Sequence, residues 1–449
     1  MLRHILLLLL LISLIFGYDR PVLAKGRLTL IRDAEIEHTI QLYATPILQA
    51  AGLNTEAVNV HIIRNDSLNA FVAGGQRIFL FTGLLLRVDS PNQLKGVIAH
   101  EIGHITGGHL ARTQDALQNA SATSIISMIL GVAAIVAGGG QAGAAILAGG
   151  QHAAQRSFLQ YSRTQEGAAD QAGLKYLTAS GQSGKGLLEF LEILGDQEAL
   201  MTSRQDPYVR SHPISSDRVS SMEVRAKASP YYDKTDGPES IVLFDRMQAK
   251  LFGYLKSKSR TMRKFPKSDD SVPARYARAI SYSRVPQFEE SLMEVDSLVA
   301  ESSEDPFFHE LKGEILFSAG ELDEALPSYA TAVRLLPQSV LIRLGLAQVQ
   351  IATEDPELNA QALQHLETIV RIDPSSPAVW RQLAIAYGRA GRLGESVVAT
   401  AERMYLSGDM KGALQQARRA QKKLPEGSAD WLRAQDIENS AEKEIQRRQ

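Results

Sequence analysis

VIAHEIGHITGGHLAR, Val97 to Arg112, holds His100, Glu101 and His104 in the order H-E-x-x-H. Helical periodicity returns positions four apart to one face, so the two imidazoles can grip a single ion while Glu101 projects beside them. A catalytic zinc takes three protein ligands and leaves a place for water, whose pKa falls to about 7 on the ion. Glu101 is then expected to act as general base and acid, carrying that water's proton to a leaving amine. The competing reading is a polar patch on an ordinary amphipathic helix, and the surrounding chain decides between the two.

Two histidines need a third ligand. Tyr161 to Tyr176 reads YSRTQEGAADQAGLKY, a proline-free run of good helix formers in which Glu166 and Asp170 are four apart and share a face. Glu166 is the expected third ligand. Asp170 is expected behind it, accepting the free ring N–H of a ligating histidine and fixing its tautomer. Standing alone, E-x-x-x-D would read as a solvated acidic face; after H-E-x-x-H on an earlier helix it completes a His2Glu set. An extended H-E-x-x-H-x-x-G-x-x-H pattern fails, because Gly107 fits but Leu110 stands where the last histidine belongs. His109 is therefore expected at the surface or behind the ligands.

Arg32 to Gly52 repeats Ile36, Ile40, Tyr43 and Ile47 at helical spacing, with Pro46 as a point of kinking. Val58 to Arg64 alternates and is β-branched, which predicts a strand. Asn69 to Ala73, Gly74-Gly75 and Arg77 to Phe81 then predict strand, turn and strand.

Met1 to Ala24 has the form of a cleavable secretory signal: Arg3 and His4, the apolar run Ile5 to Phe16, and Val22-Leu23-Ala24 before the cut. With no cysteine in 449 residues, neither a disulfide framework nor a lipid on an N-terminal cysteine is expected. A formal net charge of -2 provides no basic footprint for nucleic acid. Residues 116–155 contain no Asp, Glu, Lys or Arg. Since a membrane span needs about 20 apolar residues, the two halves around Gly138 to Gly140 suit a membrane-surface hairpin, a lid over the cleft, or a buried pair of helices.

Pro230, Asp236 and Gly237 mark a boundary, after which Ile241 to Phe265 reads as one basic amphipathic helix, a connector whose charged face is expected in solvent. The last third is a repeat array. Gly313, Gly320, Ala325, Tyr329, Ala332 and Pro337 follow tetratricopeptide spacing, and further units open at Leu344 and Trp380 and close at Pro425. Stacked pairs of this kind bury a continuous core and leave a concave face that usually binds polypeptide.

With EGAAD at Glu166 to Asp170, NAFVAGGQRIFLFTGLL at Asn69 to Leu85, SHPISSDR at Ser211 to Arg218 and the repeats, the chain resembles the HtpX-like gluzincin peptidases that carry tetratricopeptide repeats. The resemblance implies an α+β zincin-type metalloprotease domain, mostly helical with a small sheet, followed by an all-α solenoid. The expected boundaries are a signal peptide at 1–24, a protease domain at 25–235, a connector at 236–268 and repeats at 269–449. One zinc ion per chain is expected. In this plan the strand before the motif helix forms a sheet edge to which an extended substrate adds through its main chain. Arg77, Ile78, Phe79, Leu80 and Phe81 are accordingly either that edge or an internal strand. The resemblance also brings His212 toward the zinc, as a fourth ligand that keeps the enzyme latent or as a transition-state donor, where the bare residues would allow a loop histidine with no metal role. Arg218 is expected to orient the loop or the Glu166 helix. The implied setting is the periplasm, with peripheral membrane contact. Misfolded or stalled outer-membrane proteins are the implied substrates and the barrel assembly machinery the implied partner. The alternative is a chaperone or scaffold for barrel assembly with a latent or structural zinc.

Overall fold

The computed structural model describes residues 29–110, 162–198, 212 and 214–447. The signal-like segment at 1–24 and the charge-free stretch at 116–155 lie outside the described residues. Four short strands make one sheet: β1 Leu30–Ile31, β2 Asn59–Ile63, β3 Ala70–Ala73 and β4 Arg77–Phe81, in the order β1-β2-β4-β3. Gly74 and Gly75, at φ +59° and +94°, supply the left-handed backbone that closes the β3–β4 hairpin.

Of the two expectations for Arg77 to Phe81, the substrate edge is corrected and the internal strand holds. β2 pairs with β4 in parallel from Asn59↔Arg77 to Ile63↔Phe81, and β3 covers its other side. The cause is two-sided apolarity: Ile78 and Leu80 enter the core while Phe79 and Phe81 face the opposite way, which suits a central strand. The short AFVA run of β3 takes the edge instead.

Asp33 caps the helix Ala34–Ala50 by accepting from the Ile36 amide at 2.9 Å. The motif helix is Pro91–Thr106. Ser90 accepts from the Gln93 amide at 3.2 Å and Pro91 occupies the first turn, where a missing N–H costs nothing. A second helix over 162–179 crosses it at Gly103, where an added Cβ would stand 2.6 Å from the Ala169 carbonyl oxygen. Glycine there lets the two backbones touch. Ile40, Ile47, Ile78, Leu80, Ile98 and Phe190 are the centre of the core that joins sheet and helices.

The connector is two helices, Pro238–Leu255 and Lys258–Lys264, rather than one. Its charged face is not all in solvent either. Lys250 is 2% exposed, with Nζ 2.9 Å from Asp33 Oδ2 and 3.5 Å from Glu35 Oε2. Arg246 is buried beside it, 2.6 Å from Glu35 and also paired with Asp305. The hydroxyl of Tyr276, on the helix Val272–Ser283, donates to Glu35 at 2.6 Å. Buried charges need partners, and these partners join the first helix of the sheet-bearing part to the repeats.

Antiparallel helix pairs then continue to Ala429–Arg447. Tyr329 packs against both Gly313 and Gly345, whose missing side chains make room for its ring. Ala325 and Ala332 are fully buried, and Gly320 ends its helix at φ +89°. Among the described residues no helix is long and apolar enough to cross a membrane.

Candidate metal centre

His100 and His104 project from one face of the motif helix, with their Nε2 atoms 3.1 Å apart. The 162–179 helix brings Glu166 opposite them, 3.4 Å from each Nε2. The loop before the helix Ser216–Lys227 adds His212, whose Nδ1 is 3.4 Å from His100 Nε2 and 3.1 Å from the Glu166 carboxylate. These four residues form a group that could hold a metal ion. Ligand atoms about 2.0–2.1 Å from a tetrahedral ion stand roughly 3.3–3.4 Å apart, so the spacing and the imidazole and carboxylate donors suit zinc.

The orientation of each donor has a cause. His100 Nδ1 donates to Asp170 Oδ1 at 2.9 Å, which turns Nε2 toward the group. Arg218 holds Asp170 in turn, donating from Nε to Oδ2 at 2.8 Å and from a terminal nitrogen to Oδ1 at 2.9 Å. Its other terminal nitrogen lies 3.2 Å from Glu166. His109 is neither at the surface nor a ligand of the group: it is buried, with Nδ1 2.9 Å from His104 Nδ1, so it backs that ring and leaves Nε2 forward.

Glu101 is fully buried, and neither carboxylate oxygen has a hydrogen-bond partner among the described residues. Its nearest charge partner is His212, with Nε2 3.8 Å from Oε1, and a buried carboxylate without a hydrogen bond is costly, so its place among these side chains points to a task there. Burial raises its pKa against the pull of His212 and His100. Burial would also raise Glu166, but His212 and His100 hold it well below the usual carboxylate range. Asp170 is held low by His100 and Arg218 against the same burial. Burial lowers His100, yet Asp170 and Glu166 lift it to about 10.

The expected residues His100, Glu101, His104, Glu166, Asp170, His212 and Arg218 thus meet in one place, whereas Arg77 to Phe81 lies one strand away from the free edge. Two participants went unread. Gly103 sits inside the motif, where the spacing of its neighbours drew the attention. The Ala70 carbonyl, 3.3 Å from His212 Nε2, is a backbone group that no residue pattern announces.

A helix-borne pair of imidazoles, a carboxylate from a second described helix and a buried glutamate beside them have the arrangement of a metallopeptidase centre. Residues 31–226 match the model of peptidase family M48, and residues 276–340 and 310–377 match a tetratricopeptide repeat model. The chain is a metalloendopeptidase with an M48 peptidase domain followed by tetratricopeptide repeats. It is 24% identical over 409 residues to the beta-barrel assembly-enhancing protease of Yersinia pestis, covering 90% of this chain and 83% of that one. To the protein of the same name from Escherichia coli strain K12 it is 25% identical over 416 residues, 91% of this chain and 83% of that one. Metalloprotease LoiP of the same strain is 29% identical over 193 residues, 41% of this chain and 69% of its own.

Proposed function

We propose that the chain is a zinc-dependent endopeptidase of the periplasm that cleaves misfolded or stalled outer-membrane proteins, with His100, His104 and Glu166 as ligands and Glu101 as proton carrier. The observation that carries this reading is the buried Glu101 carboxylate, without a hydrogen bond among the described residues, beside the His100, His104, Glu166 and His212 group that could hold a metal ion. A zinc ion held by these residues would supply polarisation of the scissile carbonyl and acidification of water. Everything else falls to the chain's own side chains. A Glu101 oxygen takes a proton from the attacking water and returns it to the leaving nitrogen. Asp170 keeps the His100 proton on Nδ1, and Arg218 keeps Asp170 in place. β3, the edge strand among the described residues, offers main-chain groups to an extended substrate once His212 leaves the Ala70 carbonyl, so loosely folded polypeptide is preferred to packed structure. The repeats recruit substrate or the barrel assembly machinery, a reading supported by the names of the full-length relatives.

One observation favours a second reading. With His212 in the group, four protein ligands could close a structural zinc and leave no open position, as a scaffold would need. Zinc content and casein-type proteolysis, compared for wild type, Glu101→Gln and His212→Ala, separate the two. The protease reading expects one zinc per chain, activity lost in Glu101→Gln and raised in His212→Ala. Equal zinc in all three without proteolysis, also against an unfolded β-barrel protein, would establish the scaffold.

A further inference from the structure

Three aromatic rings cross the sheet in a single row, one from each of three strands. His61 of β2 is in register with Phe79 of β4, and Phe79 with Phe71 of β3. The rings stack, with centroids 5.0 Å apart at 27° for His61 and Phe79 and 4.9 Å apart at 13° for Phe79 and Phe71. That spacing is the spacing of the strands themselves, so each ring lies on the next as rungs of one ladder. Phe81 meets Phe71 edge-on at 6.0 Å. All three rings of the row are half-buried, on the face opposite the core positions Ala70, Ile78 and Leu80. Burial and the nearby Arg32 and Arg77 hold His61 below its usual range against the pull of Asp373.

The row runs to the edge strand and stops there. The Phe81 amide donates to the Asn69 carbonyl at 3.0 Å, which fixes the alternation along β3. Phe71 and Ala73 direct their main-chain groups at β4, and Ala70 and Val72 direct theirs outward. The Ala70 carbonyl is the one within reach of His212, at 3.3 Å, so the outward edge runs straight into the candidate metal centre. A strand added along Ala70 to Val72 would present every second side chain on the ring-bearing face, and the residue facing Phe71 would become the fourth rung.

We infer that His61, Phe79 and Phe71 form a side-chain subsite that selects an aromatic or large apolar residue at one position of an extended substrate paired with β3. This rests on the peptidase reading for its substrate, but its geometry is independent of catalysis. The opposite face of the added strand meets the core side and the motif helix, so the selection applies to alternate residues only. Outer-membrane strands, with apolar and aromatic residues at alternate positions, have the pattern that such a ladder accepts.

Binding without turnover tests it. Two strand-length peptides that differ only by Phe or Ala at one position, moved stepwise along the sequence, are titrated by fluorescence anisotropy into the full chain carrying Glu101→Gln and His212→Ala. The Phe peptide should bind roughly three- to ten-fold more tightly at one register, the size of an added aromatic stack. Adding Phe71→Ala should bring that ratio near one, and Phe71→Tyr should keep it. Equal binding at every register, or a ratio that survives Phe71→Ala, overturns the subsite. If wild type cleaves neither peptide while the ratio holds, the peptidase reading fails and the subsite stands; cleavage with no ratio has the reverse meaning.

Discussion

His212 donates from Nε2 to the Ala70 carbonyl at 3.3 Å, and its Nδ1 stands 3.1 Å from Glu166. One ring therefore touches the edge strand of the described sheet and the side chains that could hold a metal ion together. Removing it should open both. His212→Ala is expected to raise proteolysis of an unfolded protein about ten-fold or more while zinc stays at one per chain, because His100, His104 and Glu166 still supply three ligands. Time courses of cleavage with metal analysis check this. Lower activity at unchanged zinc would make His212 a transition-state donor instead.

Asp170→Asn should weaken the metal site without unfolding the domain. Asp170 accepts from His100 on one side and twice from Arg218 on the other, so an amide would oppose a donor with a donor. Loss of such a partner behind a ligand typically costs 10- to about 100-fold in metal affinity. Competition against a graded series of chelators measures it, and an unchanged affinity would show that the His100 tautomer is fixed by other groups.

Gly103→Ala sets two effects against each other. In an exposed helix the change would add about 1 kcal/mol of stability. Here the new methyl would stand 2.6 Å from the Ala169 carbonyl oxygen, and forcing an extra carbon into a packed contact typically costs about 1–3 kcal/mol. The net result should be destabilisation together with weaker metal binding, since the strain parts the helices that bear His100 and Glu166. Thermal melts and metal titration check both; a more stable protein would mean that the helices slide apart freely.

The residues that converge by helical periodicity were legible, since His100, His104, Glu166 and Asp170 need only a period of 3.6 to share a face. Strand order was not. Alternation in RIFLF says that a strand exists, but its neighbours depend on pairing with Asn59 to Ile63, and no local pattern encodes that non-local contact. Burial of Lys250 was equally invisible, because the carboxylate nearest it, on Asp33, lies more than two hundred positions earlier. His109 was expected at the surface or behind the ligands, and the residues alone left that choice open: it backs the His104 ring because the turn at Gly107 and Gly108, with Gly108 at φ +62°, folds it inward.

The buried charges between the first helix and the repeats predict how stability varies with pH. Lys250 Nζ is 2.9 Å from Asp33, 3.5 Å from Glu35 and 3.7 Å from Glu310. Carboxylates outnumber cations around it. Burial pushes the Glu310 carboxyl up from 4.5 to about 8, with Lys250 pulling down and Asp33, Glu314 and Glu35 pushing further up. Between those two values the folded protein keeps a proton that the unfolded chain has released, so this contribution to stability is complete below about 4.5 and is lost as pH rises toward 8. Glu310→Gln, which is neutral at every pH, removes the dependence. Melting temperatures of both proteins across that window should diverge as pH rises, with the variant gaining on wild type. A difference that stays constant with pH would mean that Glu310 is already ionised in the folded chain and that Lys250 is paired with it throughout.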